Sequence, residues 1–187
     1  MKTDISPTFA RGTEPRLALT RVFTASTELP LPRAQVFAFF SDPRNLERLT
    51  PAWLGFSILT PEPLPVGEGA RYDYRLNLHG LSLHWRTLIT AWEEGRRFED
   101  LQIKGPYALW HHVHTFEDTP EGGTRMTDEV RYRLPFGWLG ALALPFVKRD
   151  VARIFAHRRE ALRAAFISPI QSAHPDVVLS EPPTRHG

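Results

Sequence analysis

The fold is decided by residues 106–134, which read PYALWHHVHTFEDTPEGGTRMTDEVRYRL. Two alternating stretches flank a polar turn that contains glycine, at residues 117–123, and this pattern predicts a long β-hairpin. Side chains at positions i, i+2 and i+4 of a strand share one face. One face of the hairpin is therefore predicted to carry Trp110, His112, His114 and Phe116 from the first strand and Met126, Asp128, Val130 and Tyr132 from the second.

The length of the turn predicts the register of the two strands. If Phe116 faces Met126 across the turn, antiparallel pairing places His114 opposite Asp128. The same register pairs His112 with Val130 and Trp110 with Tyr132. Buried polar groups are costly unless they are paired. This face is therefore expected either to line a wet cavity of ligand size or to hold a closed polar network.

The segments around the hairpin predict further strands and three helices. Residues 17–29 are rich in threonine and β-branched residues and predict a first strand, which prolines 30 and 32 end. Two short helices are predicted next, over 33–40 and 43–49, with Val36, Phe37 and Phe40 on one side of the first. Strands are predicted at 56–59, 71–78, 83–92 and 98–103, and a long helix over 139–166, with Pro145 as a kink or as its true start.

This element order predicts an α+β domain. A curved antiparallel sheet of about seven strands has one face to bury, and the long C-terminal helix is the one predicted element large enough to cover it. Since a strongly curved sheet cannot close tightly over one helix, a cavity between them is expected. The domain is predicted to span residues 16–167, with a flexible tail at 1–15 and a disordered, proline-containing tail at 168–187.

The bulk composition excludes several classes of protein. The 187 residues are 42% hydrophobic and 24% charged, which is ordinary for one soluble domain. With a formal net charge of +2 and scattered arginines, no nucleic-acid partner is predicted. No cysteine is present, so disulfides and thiolate chemistry are excluded. No signal peptide or integral membrane segment is predicted, a cytoplasmic location is expected, and a homodimer is left open.

The motifs in this order resemble a known superfamily. They are LPRAQVFAFFSDPRNLERLTP at 31–51, GPYALWHHVHTFE at 105–117, GGTRMTDEVRY at 122–132, and the final helix. Together they are similar to the START-like superfamily, in its bacterial SRPBCC or polyketide cyclase/dehydrase-like branch, over residues 17–166. The resemblance implies the helix-grip fold of the birch-pollen allergens and a hydrophobic ligand cavity. It implies no reaction, because the superfamily mixes lipid carriers, coenzyme Q binders, hormone receptors and cyclases.

Fold and face together predict the cavity wall. The residues expected to line it are Tyr74, Trp85, Phe98, Asp100, Gln102, Trp110, His112, His114, Met126, Asp128, Val130, Tyr132, Val151 and Phe155. Asp100 and Gln102 belong there only if their face of the strand points inward; a solvent-facing pair is nearly as compatible with the pattern. The catalytic residues are unknown, and the candidates are His112, His114 and Asp128, in which the carboxylate orients an imidazole.

Three functions are compatible with this site. The leading hypothesis is intracellular binding of a small hydrophobic or lipid-like ligand. The first alternative is a cofactor-independent cyclase, dehydratase or isomerase that uses the His–Asp pair, and the second is a partner-binding module whose cavity its own side chains fill. No cofactor and no metal are predicted: His112 and His114 suit two ligands and Asp128 could be a third, but no HExxH or cysteine pair supports such a site.

Overall fold

The computed structural model describes residues 20–137, 140 and 142–167. Within these residues one antiparallel sheet has the strand order β1-β7-β6-β5-β4-β3-β2. The strands are β1 (Arg21–Leu29), β2 (Ser57–Ile58), β3 (Arg71–Leu78), β4 (Leu81–Glu93), β5 (Arg97–Lys104), β6 (Leu109–Asp118) and β7 (Thr124–Arg133). The predicted α+β class and the seven-stranded sheet are thus confirmed.

Three helices accompany the sheet in the described residues: α1 (Arg33–Ser41), α2 (Asn45–Leu49) and α3 (Leu144–Leu162). A 3₁₀ turn, Ala52–Leu54, follows α2, and a π-helical turn, Arg163–Ile167, ends α3. Pro32 immediately precedes α1, where its fixed φ suits the start of a helix. Pro145 lies in the first turn of α3, so it marks the start of the long helix and does not kink it.

The hairpin of β6 and β7 has the predicted register. His114 lies opposite Asp128 and Phe116 lies opposite Met126, and the remaining predicted pairs are present as well. Along β6 the buried residues alternate, with His112, His114 and Phe116 inside. The polar turn therefore sets the register, as two-residue periodicity requires when one face is buried.

The hairpin of β3 and β4 turns over His79 and Gly80. Both residues have positive φ, 51° and 83°, as a two-residue type I′ turn demands. The His79 ring lies at the tip, with Nε2 2.7 Å from Asp150 Oδ2 in α3. This contact joins the tip of the hairpin to the long helix across the concave face of the sheet.

Two packed clusters hold the sheet to the helices. The first half of α3 packs on β1 and β7 through Phe23, Val130, Tyr132, Val151 and Phe155. A second cluster joins α1 and the end of α3 to the hairpin end; it contains Leu29, Val36, Phe37, Phe40, Leu49, Phe98, Phe116, Met126 and Leu162. Full burial of one such side chain stabilises the fold by about 1.5–3 kcal/mol. The two clusters therefore fix the positions of α1 and α3 on the sheet.

Some predictions lie outside the described residues. These are the two tails at 1–15 and 168–187 and the first residues, 17–19, of the predicted first strand. Among the described helices, none combines the length and the apolar character that a membrane span requires.

Candidate ligand-binding site

A cavity of about 210 Å³ lies between the concave sheet, the elbow of α1 and α2, and α3. One water needs roughly 10–15 Å³, so the space exceeds that of a hydration site by an order of magnitude. Its wall is mostly aromatic and aliphatic. One corner of the wall is polar and contains Asp100, His112, His114 and Arg158, and further polar side chains lie on the α1–α2 elbow. The lining residues that argue for a ligand are Phe40, Leu46, Phe56, Tyr72, Tyr74, Leu76, Trp85, Ile89, Trp92, Phe98, Asp100, Trp110, His112, His114, Ile154, Phe155 and Arg158.

The structure brings eight of the predicted residues to this wall. They are Tyr74, Trp85, Phe98, Asp100, Trp110, His112, His114 and Phe155. Asp100 faces inward because it is level with His112 across the β5–β6 ladder. Of the two orientations considered for this face of β5, the inward one therefore holds for Asp100.

Six predicted residues do not lie on the cavity wall. Met126 packs under α1, and Val130, Tyr132 and Val151 are 0–1% exposed in the cluster between β7 and α3. Gln102 instead donates its amide N–H to the carbonyl of Tyr107, at 2.8 Å. Asp128 sits behind the two histidines and not on the wall. For the residues on strands the alternation gave the inner face correctly, but helix packing decides which part of that face meets the cavity.

Much of the wall was not predicted from the sequence, including the residues of the α1–α2 elbow, such as Phe40 and Leu46. Two of the missed residues have a specific cause. Trp92 reaches the cavity because β4 shifts register between Ile89 and Ala91, which returns the strand to the inner face one residue late. Arg158 is 8% exposed and lines the cavity from α3. Its spacing of seven residues from Val151 places it on the inner stripe of the helix, and that signal could have found it.

The polar corner is a cluster of two histidines between two carboxylates. His112 Nε2 lies 2.8 Å from Asp128 Oδ1, and His114 Nε2 lies 3.2 Å from Asp100 Oδ2, both as hydrogen bonds. The remaining nitrogens complete the cluster: His112 Nδ1 is 3.6 Å from Asp100 Oδ2, and His114 Nδ1 is 3.0 Å from Asp128 Oδ1. The latter approach is off line, so His114 Nδ1 makes no hydrogen bond.

Arg158 completes the charges of the cluster. Its Nη2 lies 3.4 Å from Asp128 Oδ1, and its guanidinium stands 5.0 Å from the centre of the Phe40 ring. The His112 and His114 rings are 3.8 Å apart, and His114 stacks on Phe98 at 4.2 Å. The His114 ring is thus packed between His112 and Phe98.

The two carboxyls are held in their charged form. Burial alone raises the pKa of Asp100, but the hydrogen bond from His114 and the nearby positive charges outweigh it and lower that pKa. At Asp128 burial is likewise outweighed, by the charge of Arg158 and by contacts with both histidines, and the pKa falls far below its usual range. Both groups are therefore acceptors at neutral pH.

The two histidines differ in their preference for a proton. Burial and the neighbouring His114 lower the pKa of His112, and they outweigh its contacts with Asp128 and Asp100. Burial also acts on His114, but its contacts with Asp100 and Asp128 outweigh burial and raise the pKa. Of the two imidazoles, His114 is therefore the one whose charged form the site favours.

The model of a known family matches residues 20–166, described as polyketide cyclase/dehydrase and lipid transport. The chain belongs to this family. The resemblance to the SRPBCC or START-like superfamily is thereby confirmed. A search among curated proteins gives no significant match.

Solved structures share the fold of this family member. Protein Ms6760 from Mycobacterium smegmatis is 19% identical with a TM-score of 0.59, over 92% of this chain and 100% of that one. Ara h 8.0201 is 16% identical with a TM-score of 0.54, over 78% and 99%. The di-domain ARO/CYC StfQ from the steffimycin biosynthetic pathway is 12% identical with a TM-score of 0.62, over 81% of this chain and 52% of that one. At these identities the likeness is one of fold, and it confirms the predicted helix-grip architecture.

Proposed function

We propose that this family member binds a small, mostly apolar molecule in the cavity between the sheet and α3. The observation that carries the proposal is the cavity of about 210 Å³, whose mostly apolar wall includes the buried polar corner of Asp100, His112 and His114. Small-molecule sites have this make-up, in which apolar surface supplies affinity and a few polar groups fix orientation. In the proposed complex a polar group of the ligand contacts Asp100, His112 or His114, and the apolar remainder lies against Tyr74, Trp85 and Trp92.

The cavity also bears on the alternative of a module filled by its own side chains. Such a module needs a closed core, and an open space of this size beside two histidines favours a ligand instead. The enzyme alternative stays a prediction: the same His–Asp contacts that hold a ligand oxygen could also move a proton. A cytoplasmic location stays a prediction as well.

The first test blocks the cavity with a matched pair of substitutions. Leu76 lines the cavity, whereas Leu81 is 67% exposed near the tip of the same hairpin. Titration with the uncharged dye Nile red should give saturable fluorescence enhancement in the wild type. Leu76→Trp should weaken that binding by at least about tenfold, equivalent to roughly 1.4 kcal/mol, because the indole occupies the dye's space. Leu81→Trp should leave it unchanged.

Two results would contradict the proposal. One is the absence of saturable dye binding to the folded wild type. The other is equal binding by both tryptophan variants, which would place the dye on the surface. Native mass spectrometry of freshly purified protein then identifies the bound class, since a copurified molecule should be lost from Leu76→Trp and kept by Leu81→Trp.

A copurified ligand also separates binding from catalysis. A binder returns the ligand unchanged after incubation in heavy water, whereas an enzyme of the proposed type exchanges or rearranges it. His114→Gln would then reduce ligand affinity by about tenfold in a binder, the effect of one hydrogen bond. In an enzyme the same change would lower the rate by about 10²–10⁴ with little loss of affinity.

A further inference from the structure

We propose that Asp100, His112 and His114 bind one divalent transition-metal ion, with zinc as the ion that fits their spacing. Within the described part of the chain, these three residues are the group whose donor atoms converge, all within 4.8 Å of one another. Asp100 thus takes the place of Asp128 as the third ligand considered from the sequence. The site would lie at the polar corner of the cavity, so the inference goes beyond the binding of an apolar ligand.

Two of the donor separations already match those of a tetrahedral site. His114 Nε2 and His112 Nδ1 lie 3.2 and 3.6 Å from the same oxygen, Asp100 Oδ2. A tetrahedral zinc ion with bonds of about 2.0–2.1 Å requires donors roughly 3.3 Å apart. Each histidine nitrogen therefore already lies close to the separation from Asp100 that the ion requires. Two imidazoles and one carboxylate are a donor set that zinc and iron both accept.

The second carboxylate holds the two imidazoles from behind. Asp128 Oδ1 forms a hydrogen bond with His112 Nε2 at 2.8 Å and lies 3.0 Å from His114 Nδ1, off line, in an electrostatic contact; both nitrogens point away from Asp100. Histidine ligands in metal sites usually donate their other N–H to such a carboxylate, which fixes the tautomer and strengthens the ligand. In this cluster both rings face Asp100 Oδ2 on one side and Asp128 Oδ1 on the other. A polar network that served stability alone would not need this arrangement.

The surroundings leave one coordination position open. Asp100, His112 and His114 all line the cavity, whereas Asp128 does not. Catalytic zinc sites have three protein ligands and a fourth position for water or substrate. The positive charge of Arg158 repels a metal cation, but Arg158 is paired with Asp128. The negative charges of Asp100 and Asp128 together outweigh that repulsion. The open position would face the polar group of whatever molecule the cavity holds.

The test is calorimetric titration of the full-length, chelator-treated protein with Zn²⁺. One ion per chain should bind the wild type. Asp128 would hold the histidine ligands without contacting the ion, so Asp128→Asn should weaken zinc binding by about 10–100-fold. Asp100→Asn and His114→Gln each remove a direct ligand and should weaken zinc binding by at least roughly 100-fold. The matched control is His111→Gln: this adjacent histidine lies on the other face of β6, with Nε2 2.6 Å from Glu99 Oε2, and its loss should change nothing.

Two further measurements, Co²⁺ absorption and Nile red binding by the metal-free protein, complete the test. Co²⁺ added to the wild type should give the visible absorption of a tetrahedral site, a readout that needs no variant and is unaffected if one fails to fold. Zinc binding that is absent from the wild type, or equally strong in His111→Gln, His114→Gln and Asp100→Asn, would overturn the proposal. Nile red binding by the metal-free protein tests the cavity separately, so failure of the metal site and failure of the proposed function are distinguishable.

Discussion

The concave face of the sheet has two halves that carry similar side chains and pack differently. In the closed half, β1 and β7 lie directly under the first part of α3, and Phe23, Val130 and Tyr132 are 0–1% exposed. In the open half, β3, β4 and β5 present Tyr74, Trp85 and other aromatic residues to the cavity. The difference comes from what covers each half. A long helix fills the first, whereas the short α1–α2 elbow spans the second.

The polar cluster lies at the boundary between the halves. Asp128 belongs to β7 in the closed half, Asp100 belongs to β5 in the open half, and His112 and His114 stand between them on β6. The closed side thus supplies a fixed, fully buried anion, and the open side supplies an anion that meets the cavity. If this division is real, substitutions in the two halves must have different consequences.

The largest expected effect is from Asp128→Ala. The change leaves the Arg158 guanidinium buried beside an empty position, and loss of one partner from a buried pair costs about 3–5 kcal/mol. Urea denaturation at neutral pH measures it. Glu129→Ala is the matched control, because Glu129 is on the outer face of β7 beside Arg131 and should change stability by no more than about 0.5 kcal/mol.

A double variant shows whether the cost comes from the unpaired charge. Asp128→Ala combined with Arg158→Met should be more stable than the sum of the two single changes by about 0.5–3 kcal/mol. Additive losses would mean that Arg158 and Asp128 act independently. The boundary would then be a packing feature only.

The next largest effect is the difference in stability lost when a phenylalanine is replaced by alanine in each half. Phe23 is 1% exposed and packs against Phe155 with ring centres 4.5 Å apart, so Phe23→Ala should cost about 3–5 kcal/mol. Phe56 lines the cavity, where one side of the ring has no packing partner to lose. Phe56→Ala should therefore cost less by about 2 kcal/mol in the same denaturation experiment. Equal costs would mean that the open half is packed as tightly as the closed half.

A smaller effect compares two tyrosine hydroxyls. The Tyr132 hydroxyl in the closed half is buried with no hydrogen-bond partner among the described residues, whereas Tyr72 in the open half donates to the carbonyl of Pro65. Tyr72→Phe should therefore cost about 1 kcal/mol, and Tyr132→Phe should be neutral or stabilising by a similar amount. Thermal unfolding of both variants measures the difference, and a loss of stability in Tyr132→Phe would reveal a partner for its hydroxyl.

The sequence predicted the inner face well and the cavity wall less well. Alternation and turn length gave the pairing of His114 with Asp128, because a strand has only two faces and the turn fixes the register. The same alternation could not separate Val130 from Trp110, since both face inward and only the path of α3 decides which one meets the cavity. Trp92 required a bulge, which leaves no mark in a two-residue pattern.

The smallest effect is on the pH dependence of stability, where the two histidines oppose each other. The pKa of His114 is raised above the value near 6.5 that it has when unfolded, so its contribution is complete below pH 6.5 and is lost as the pH rises through its folded pKa. The pKa of His112 is lowered, so its contribution is complete above pH 6.5 and is lost as the pH falls through its folded pKa. The two changes partly cancel, and stability should vary little around pH 6.5. NMR titration of the ring signals in chelator-treated protein should show two coupled steps on opposite sides of 6.5, with the upper step absent from His114→Gln. An upper step that survives in that variant, or a step for His114 below 6.5, would mean that burial outweighs the carboxylates and that the contact between His114 and Asp128 is not an ion pair.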